Sequence, residues 1–301
     1  MINLNIPVVS VLCITFNHEK YIAHAIEGFL MQKTNFKFEI IIHDDASTDK
    51  TVEIIKAYQV KNVELFKCIF QTENLYSKKD GSIEKAIFSA PTGKYVAMCE
   101  GDDYWTDPLK LQKQVDFLEA NTDYSMVCHN AKNIYEGTNK KSTLFSNKTA
   151  SQDISMKTII QDWVIPTASM VFIREYIVKL PEWFDKIYSG DFSLALLLRH
   201  NGKIWFFKEV MSVYRINYTG TSATSTFKDQ GIFVATEHIR LLNYFNQYSA
   251  MKFNFLIKKR ISFLQNEINF TTYKQMSLMK AFTKMPFAFT KKLFKKFFRL
   301  F

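Results

Sequence analysis

Three apolar, β-branched runs constrain this chain more than any other feature: residues 8–15 (VVSVLCIT), 38–43 (FEIIIH) and 94–99 (KYVAMC). A strand with one face in water alternates polar and apolar residues, whereas a continuous apolar run marks a strand covered on both faces. Residues 64–71 read as a further strand. The stretches between these runs have helical spacing. Tyr21, Ile22, Ala25, Ile26, Phe29 and Leu30 recur on one helical face, as do Val52, Ile54, Ile55 and Tyr58, with Ser47 or Thr48 placed to cap that second helix. Residues 83–89 read as a third helix, stopped by Pro91-Thr92-Gly93. Strand and helix alternating in this way predict a parallel, doubly wound α/β sheet, in which ligands bind at the carboxyl ends of the strands.

Past Asp103 the pattern loosens. A helix is predicted over 108–121, a strand over 124–130, a polar surface loop over 137–153, a strand over 168–173, a helix over 192–199 and a strand pair over 204–214. Residues 217–226 form a Gly/Thr/Ser-rich loop, and a helical region begins at Gly231. No internal repeat is visible.

The polar residues with chemical potential fall at the strand ends. Asp44-Asp45 and Asp102-Asp103 each follow an apolar run, and Asp191 stands in Ser189-Gly190-Asp191-Phe192 before a helix. An Asp pair after a strand is also an ordinary turn former. Two such pairs on alternating βα units are harder to explain that way, and adjacent carboxylates suit a hard divalent cation that also binds phosphate oxygens. Neither GxxxxGK[ST] nor GxGxxG occurs, so no backbone cradle for phosphates is encoded. A nucleotide bound without one needs a metal for its diphosphate and side chains for its base. The six histidines show no zinc spacing; His43 lies at a strand end and most of the others read as surface residues. Cys13, Cys68, Cys99 and Cys128 are far apart and read as reduced structural thiols of a cytosolic protein.

Three segments taken together, 9–32 (VSVLCITFNHEKYIAHAIEGFLMQ), 38–51 (FEIIIHDDASTDKT) and 93–118 (GKYVAMCEGDDYWTDPLKLQKQVDFL), resemble a family 2 glycosyltransferase with the GT-A fold, in order and approximate spacing. The resemblance covers residue 7 to about 220. It implies a GT-A domain over 1–230, with a nucleotide-binding half to about residue 120 and an acceptor half from 121 to 230, then a helical, basic, Phe-rich region over 231–301. It implies that Thr15, Phe16, Asn17 and Glu19 line the nucleotide, with the Phe16 ring against the base, a position equally suited to a core aromatic. Asp45 would accept from a uracil-type base with Asp44 beside it, Asp102 would bind ribose or sugar hydroxyls, and Asp103 would ligate Mn²⁺ or Mg²⁺. Asp191 matches the catalytic base that takes the acceptor's proton, and it also stands where it would cap the helix after it; the two roles are compatible. Thr167 and Ser169 are candidate acceptor-side hydroxyls or buried strand polar groups. Val213-Tyr214-Arg215, with Asn217 and Gly220, resembles a loop closing on the diphosphate, with Arg215 as its cation. Asn217 stands where relatives often have His, and the QxxRW signature of processive synthases is absent.

Charge is unevenly distributed. The chain has 39 Lys+Arg and 29 Asp+Glu, yet residues 250–301 hold twelve basic residues, one acid (Glu267) and eleven of the 28 Phe. A neutral body therefore carries a basic, aromatic tail. Over 287–301, Leu293, Phe294, Phe297, Phe298 and Phe301 fall on one helical face and Lys291, Lys292, Lys295, Lys296 and Arg299 on the other, the pattern of a helix lying on a membrane. A helix packed on the body with a solvated Lys face is the alternative, and nucleic acid is not an expected partner. No signal peptide and no spanning segment are read from the sequence.

These readings predict a metal-dependent inverting glycosyltransferase. It would move a sugar from a nucleotide-sugar, in the first instance a UDP-sugar, to a glycan or lipid-linked acceptor in surface-polysaccharide synthesis. The expected location is cytoplasmic, at the inner face of the plasma membrane. The rivals are a silent glycan- or lipid-binding module on the same fold, and a sugar nucleotidyltransferase.

Overall fold

The structure, a computed structural model, describes residues 6–78, 81–187, 189–217 and 231–283; over 274–283 it describes the backbone alone. The chain divides into two compact units, Met1–Ile216 and Asn217–Phe301.

In the first unit the early apolar runs form β1 (Val9–Thr15), β2 (Phe38–Asp44), β3 (Phe66–Phe70) and β4 (Tyr95–Glu100), with α1 (Ile22–Leu30), α2 (Thr51–Lys61) and α3 (Ser82–Phe88) between them. Their pairings are all parallel, Val9 lying opposite both Phe38 and Tyr95, and Ile40 opposite Phe66. There follow β5 (Tyr104–Trp105), α4 (Lys110–Ala120), β6 (Tyr124–Tyr135), β7 (Thr143–Leu144), β8 (Gln152–Asp153), α5 (Met156–Gln161), β9 (Val171–Ile173), α6 (Glu175–Val178), α7 (Gly190–Asn201) and β10 (Lys203–Ile216). The sheet order is β3-β2-β1-β4-β9-β6-β10-β5, with β7 on β6 and β8 on β10. Only β5, β7, β8 and β9 pair antiparallel to their neighbours, so the sheet is mostly parallel.

Both faces of the parallel half are covered, as continuous apolar runs require. Val9, Val11 and Cys13, with Ile40, Ile42 and Ala97, pack on Ile22, Ile26 and Phe29 of α1 and on Leu111, Val115 and Leu118 of α4. The residues that alternate with them (Leu12, Ile41, Val96, Met98) are buried as well. Each such side chain contributes about 1.5–3 kcal/mol through burial. The cysteines are free, and burial pushes the Cys13, Cys99 and Cys128 thiols up, which suits inert thiols.

Several expectations need correcting. The predicted strand pair over 204–214 is one fourteen-residue strand, β10, bulged between Phe207 and Val210. The loop over 137–153 includes β7 and β8, and β6 runs five residues past Asn130. Most histidines other than His43 read as surface residues; His129, fully buried in β6, is an exception.

The second unit contains α8 (Gly231–Tyr248) and α9 (Asn254–Thr283), which pack against each other. The turn between them places Ala250 and Met251 in the left-handed region, and Phe245 and Phe253 stack across it with ring centroids 6.0 Å apart. Among the described residues no helix is long and apolar enough to cross a membrane. The amphipathic segment 287–301 lies outside the described residues.

Candidate active site at the strand ends

β1, β2 and β4 stop at one level: Thr15 lies opposite Asp44, and Ile14 opposite Glu100. The loops that follow are tied to one another. The Asn17 N–H donates to Ser47 Oγ (2.8 Å), and Asn17 Oδ1 accepts from the Thr48 N–H (2.7 Å). His18 N–H donates to Thr51 Oγ1 (2.8 Å), and Glu19 Oε2 accepts from Lys50 N–H (3.2 Å). Ser47 and Thr48 thus join two loops rather than cap α2. Asp49 takes the capping part, accepting from the Thr51 N–H at 2.9 Å. Asn17 and Ala46 both hold positive φ (54° and 64°), a conformation Asn tolerates and Ala adopts at a cost of about 1 kcal/mol. Such strain collects at functional loops.

Asp44 and Asp45 are engaged with backbone. Asp44 Oδ2 accepts from the Ser47 N–H (2.9 Å), closing a turn. Asp45 accepts from Leu75 N–H (2.7 Å) and Tyr76 N–H (3.0 Å), drawing the chain after β3 onto the end of β2. Asn17, Glu19, Asp44 and Asp45 therefore shape the loops. Phe16, half-buried at the end of β1, stands beside them.

Gly101 sits where β4 meets β1. A Cβ there would lie 2.6 Å from Thr15 Oγ1, 2.8 Å from Thr15 Cβ and 2.9 Å from His18 Nδ1. Thr15 is buried on a central strand and has no room to yield. Gly101→Ala is expected to destabilise the protein by roughly 1–3 kcal/mol, read as a lower urea midpoint with an unchanged slope. An unaltered midpoint would show that the strand ends are looser than described.

The acids gather around this glycine. Asp103 is buried; its Oδ1 accepts from the Arg215 N–H (2.8 Å), and its Oδ2 has no partner. Asp102 is more open, its side chain 23% exposed and 3.9 Å from His18 Nε2. Glu100 is pushed up to about 8, first by burial and then by the charges of Asp102 and Asp191. Asp103 is raised well above the usual carboxylate range by burial, then by Asp102 and Glu100.

Arg215 holds this loop. It is 7% exposed and lies within β10, not in a closing loop; Gly220 lies outside the described residues. Its guanidinium donates to the Asp102 carbonyl and to Glu136 Oε1 (3.1 Å), between the rings of Tyr104 (4.5 Å) and Tyr21 (5.0 Å). Trp105 anchors the other end, its indole N–H donating to Ala168 O at 2.8 Å.

Asp191 approaches from the acceptor half. The helix begins at Gly190, two residues earlier than expected, which puts Asp191 in its first turn, where negative charge is favoured. Its Oδ1 accepts from Ser189 Oγ (2.8 Å) and from the Phe192 N–H (2.7 Å). Its Oδ2 lies 3.5 Å from Thr167 Oγ1, and its charge is one of those that raise the Glu100 carboxyl. Asp191 thus stands close enough to Glu100 for the two charges to act on each other. Ser169 donates to Pro166 O (2.6 Å) and is structural. Sequence reasoning missed Glu100, His18, Tyr21 and Glu136. Glu100 was legible as a further acid one residue before Gly101; the others are brought in from distant parts of the chain.

No three His, Cys, Asp or Glu groups form a closed metal cage among the described residues. What is present fits a cation held by few protein ligands plus substrate phosphates: hard oxygen donors, an unpartnered buried oxygen on Asp103, and crowded like charges. Asp103 is the residue that would hold it.

A mostly parallel sheet whose strand ends gather acids, with a second-half carboxylate nearby, defines the class as an α/β protein with a candidate site at its strand ends. Comparison with known proteins narrows this. The model of glycosyl transferase family 2 matches residues 10–180, and the chain belongs to that family. An uncharacterized Mycobacterium tuberculosis protein, Rv1520, is 37% identical over 209 residues, covering 68% of this chain and 58% of that protein. The chain thus spans somewhat over half the length of such relatives. An uncharacterized glycosyltransferase of Nostoc, alr2836, is 30% identical over 72% of this chain and 69% of its own length. Escherichia coli WfaP, named a UDP-Glc:alpha-D-GlcNAc-diphosphoundecaprenol beta-1,3-glucosyltransferase, is 33% identical over 37% of this chain and 41% of its own. Two solved structures show the GT-A fold. Staphylococcus aureus TarS 1-349, in complex with UDP, has TM-score 0.54 at 16% identity, covering 78% of this chain and 65% of that one. The mannosyltransferase PcManGT from Pyrobaculum calidifontis, in complex with GDP-Man and Mn2+, has TM-score 0.56 at 14% identity, covering 98% and 80%.

Proposed function

We propose that this protein is a metal-dependent, inverting glycosyltransferase that moves a sugar from a nucleotide-sugar, in the first instance a UDP-sugar, to a glycan or lipid-linked acceptor of a cell-surface polysaccharide. The observation that carries the reading is that Asp191, its Oδ2 beside Thr167, stands near enough to the buried Glu100 for its charge to raise that carboxyl. The nucleotide would lie over the ends of β1, β2 and β4, with Phe16 against the base and Asp102 at the sugar hydroxyls. Thr15, Asn17, Glu19, Asp44 and Asp45 would shape that surface, and Arg215 would hold the Asp102–Asp103 loop in place. Residues 1–120 would serve the donor and 121–230 the acceptor.

A divalent cation at Asp103, Mn²⁺ or Mg²⁺, would supply Lewis-acid charge for the departing diphosphate. Asp191 would take the acceptor's hydroxyl proton at Oδ2, its Oδ1 being fixed by Ser189 and the Phe192 N–H. One base and no protein nucleophile imply inversion, and a metal-held diphosphate needs no second acid, unlike a glycosidase leaving group. The relatives named for undecaprenol-linked acceptors and UDP or GDP donors support the donor and acceptor classes. The basic tail supports a place at the inner face of the plasma membrane.

Stability tests the cation directly. A buried carboxyl raised in pKa holds its proton, which competes with metal, so binding strengthens as pH rises. Mn²⁺ with UDP is expected to raise Tm by several degrees at pH 8 and far less at pH 5.5, read by calorimetry against EDTA. Asp103→Asn should lose that gain. Equal response of wild type and variant would remove the cation from this residue, and absent turnover of every UDP- and GDP-sugar offered would remove the activity.

A further inference from the structure

The second unit has a surface that the proposed chemistry does not use. Phe255, Phe263, Phe270 and Tyr273 of α9 are 79%, 52%, 67% and 74% exposed. At 100° per residue they fall within an arc of about 80°. The buried residues of the same helix, Ile257 and Leu264, lie on the opposite side. The aromatic stripe is therefore not the face that α9 packs on α8. Four large rings aligned in water form an apolar patch that requires a partner.

Charge selects the partner. Lys258 and Lys259 are exposed beside the stripe, Lys259 within its arc, and Arg260 lies 5.2 Å from the Phe263 ring. Between residues 252 and 273 the only acid is Glu267, against four basic residues, and the sequence beyond stays basic and Phe-rich to Phe301. Aromatic rings flanked by lysines fit the interface of an anionic bilayer, where rings enter the headgroup level and ammonium groups meet lipid phosphates. A helix lying this way needs no spanning length.

We propose that the Phe255–Phe263–Phe270–Tyr273 face of α9 is a binding surface for anionic lipid bilayers. It extends the membrane reading of the tail to a folded helix, and it stands or falls separately from residues 285–301. The test is flotation of the full-length protein with vesicles of phosphatidylcholine alone and of phosphatidylcholine with a quarter phosphatidylglycerol. Wild type should float with the anionic vesicles. The triple variant Phe255→Ser/Phe263→Ser/Phe270→Ser should lose about tenfold or more in partitioning while keeping its helical circular dichroism. A chain ending at residue 284 should retain measurable binding that the triple substitution then abolishes. Phe263→Trp gives a second readout: its fluorescence should shift to the blue with anionic vesicles and be quenched by brominated lipid. Unchanged partitioning of the triple variant, or no blue shift, overturns the proposal. So does complete loss on truncation alone. A lipid-independent dimer that the serine variant dissociates would assign the face to a second copy, and tighter binding to RNA than to vesicles would assign it to nucleic acid; either overturns it.

Discussion

Asp191→Asn is expected to lower transfer by about 10²- to 10⁴-fold while nucleotide affinity stays within twofold of wild type. The geometry makes this substitution clean. Oδ1 accepts from Ser189 Oγ and from the Phe192 N–H, and an asparagine carbonyl accepts both, so the start of α7 keeps its form. What is lost is the proton-accepting power of Oδ2, the oxygen that faces Thr167. Asp191→Ala removes both functions and should also lower Tm, because the first turn loses its acceptor and its negative charge. The two variants separate catalysis from architecture: calorimetric titration with UDP and Mn²⁺ reads binding, a coupled assay of nucleotide release reads turnover, and thermal unfolding reads the helix. An asparagine variant retaining more than about a tenth of the wild-type rate would leave Asp191 as a helix-start residue only, and the base would have to be sought elsewhere.

The parts legible in sequence are those where one physical rule acts alone. β1, β2 and β4 bury both faces, so their apolar runs announced them and their parallel order followed from the helices between them. β10 was misread because Lys208, Glu209 and Val210 are exposed at its bulge, which breaks one strand's pattern into two. His129 lies in a segment read as a strand, but nothing local showed that neighbouring strands bury this histidine. In the site, the adjacent acids were visible because they are adjacent. Their environment was not: Asp103 takes its hydrogen-bond partner from Arg215, more than a hundred residues away, and the Asp191 charge acts on Glu100 from the second half of the chain. Ser47 and Thr48 are capping residues by type, but tertiary contact with Asn17 outcompeted the local use.

Lys110 carries the largest expected stability effect. It opens α4 fully buried, its ammonium 4.0 Å from the Trp105 ring centroid and without a hydrogen-bond partner. Burial pushes it down to about 7 from the ordinary 10.5. Between those values the unfolded chain holds a proton that the folded protein does not, so this residue makes stability rise with pH across that window, and its full penalty is felt below pH 7. Lys110→Met keeps the volume and drops the charge. It is expected to stabilise the protein by roughly 1–4 kcal/mol at pH 6, with the advantage shrinking by more than half at pH 10, as read by urea unfolding at both values. The attraction to the indole offsets part of the penalty and sets the low end of that range. Glu100 works in the opposite direction: raised from 4.5 to about 8, it makes stability fall across that interval, so Glu100→Gln must be measured beside Lys110→Met to separate two slopes that overlap near pH 7–8. A methionine variant no more stable than wild type at pH 6 would mean the ammonium is solvated in place by internal water.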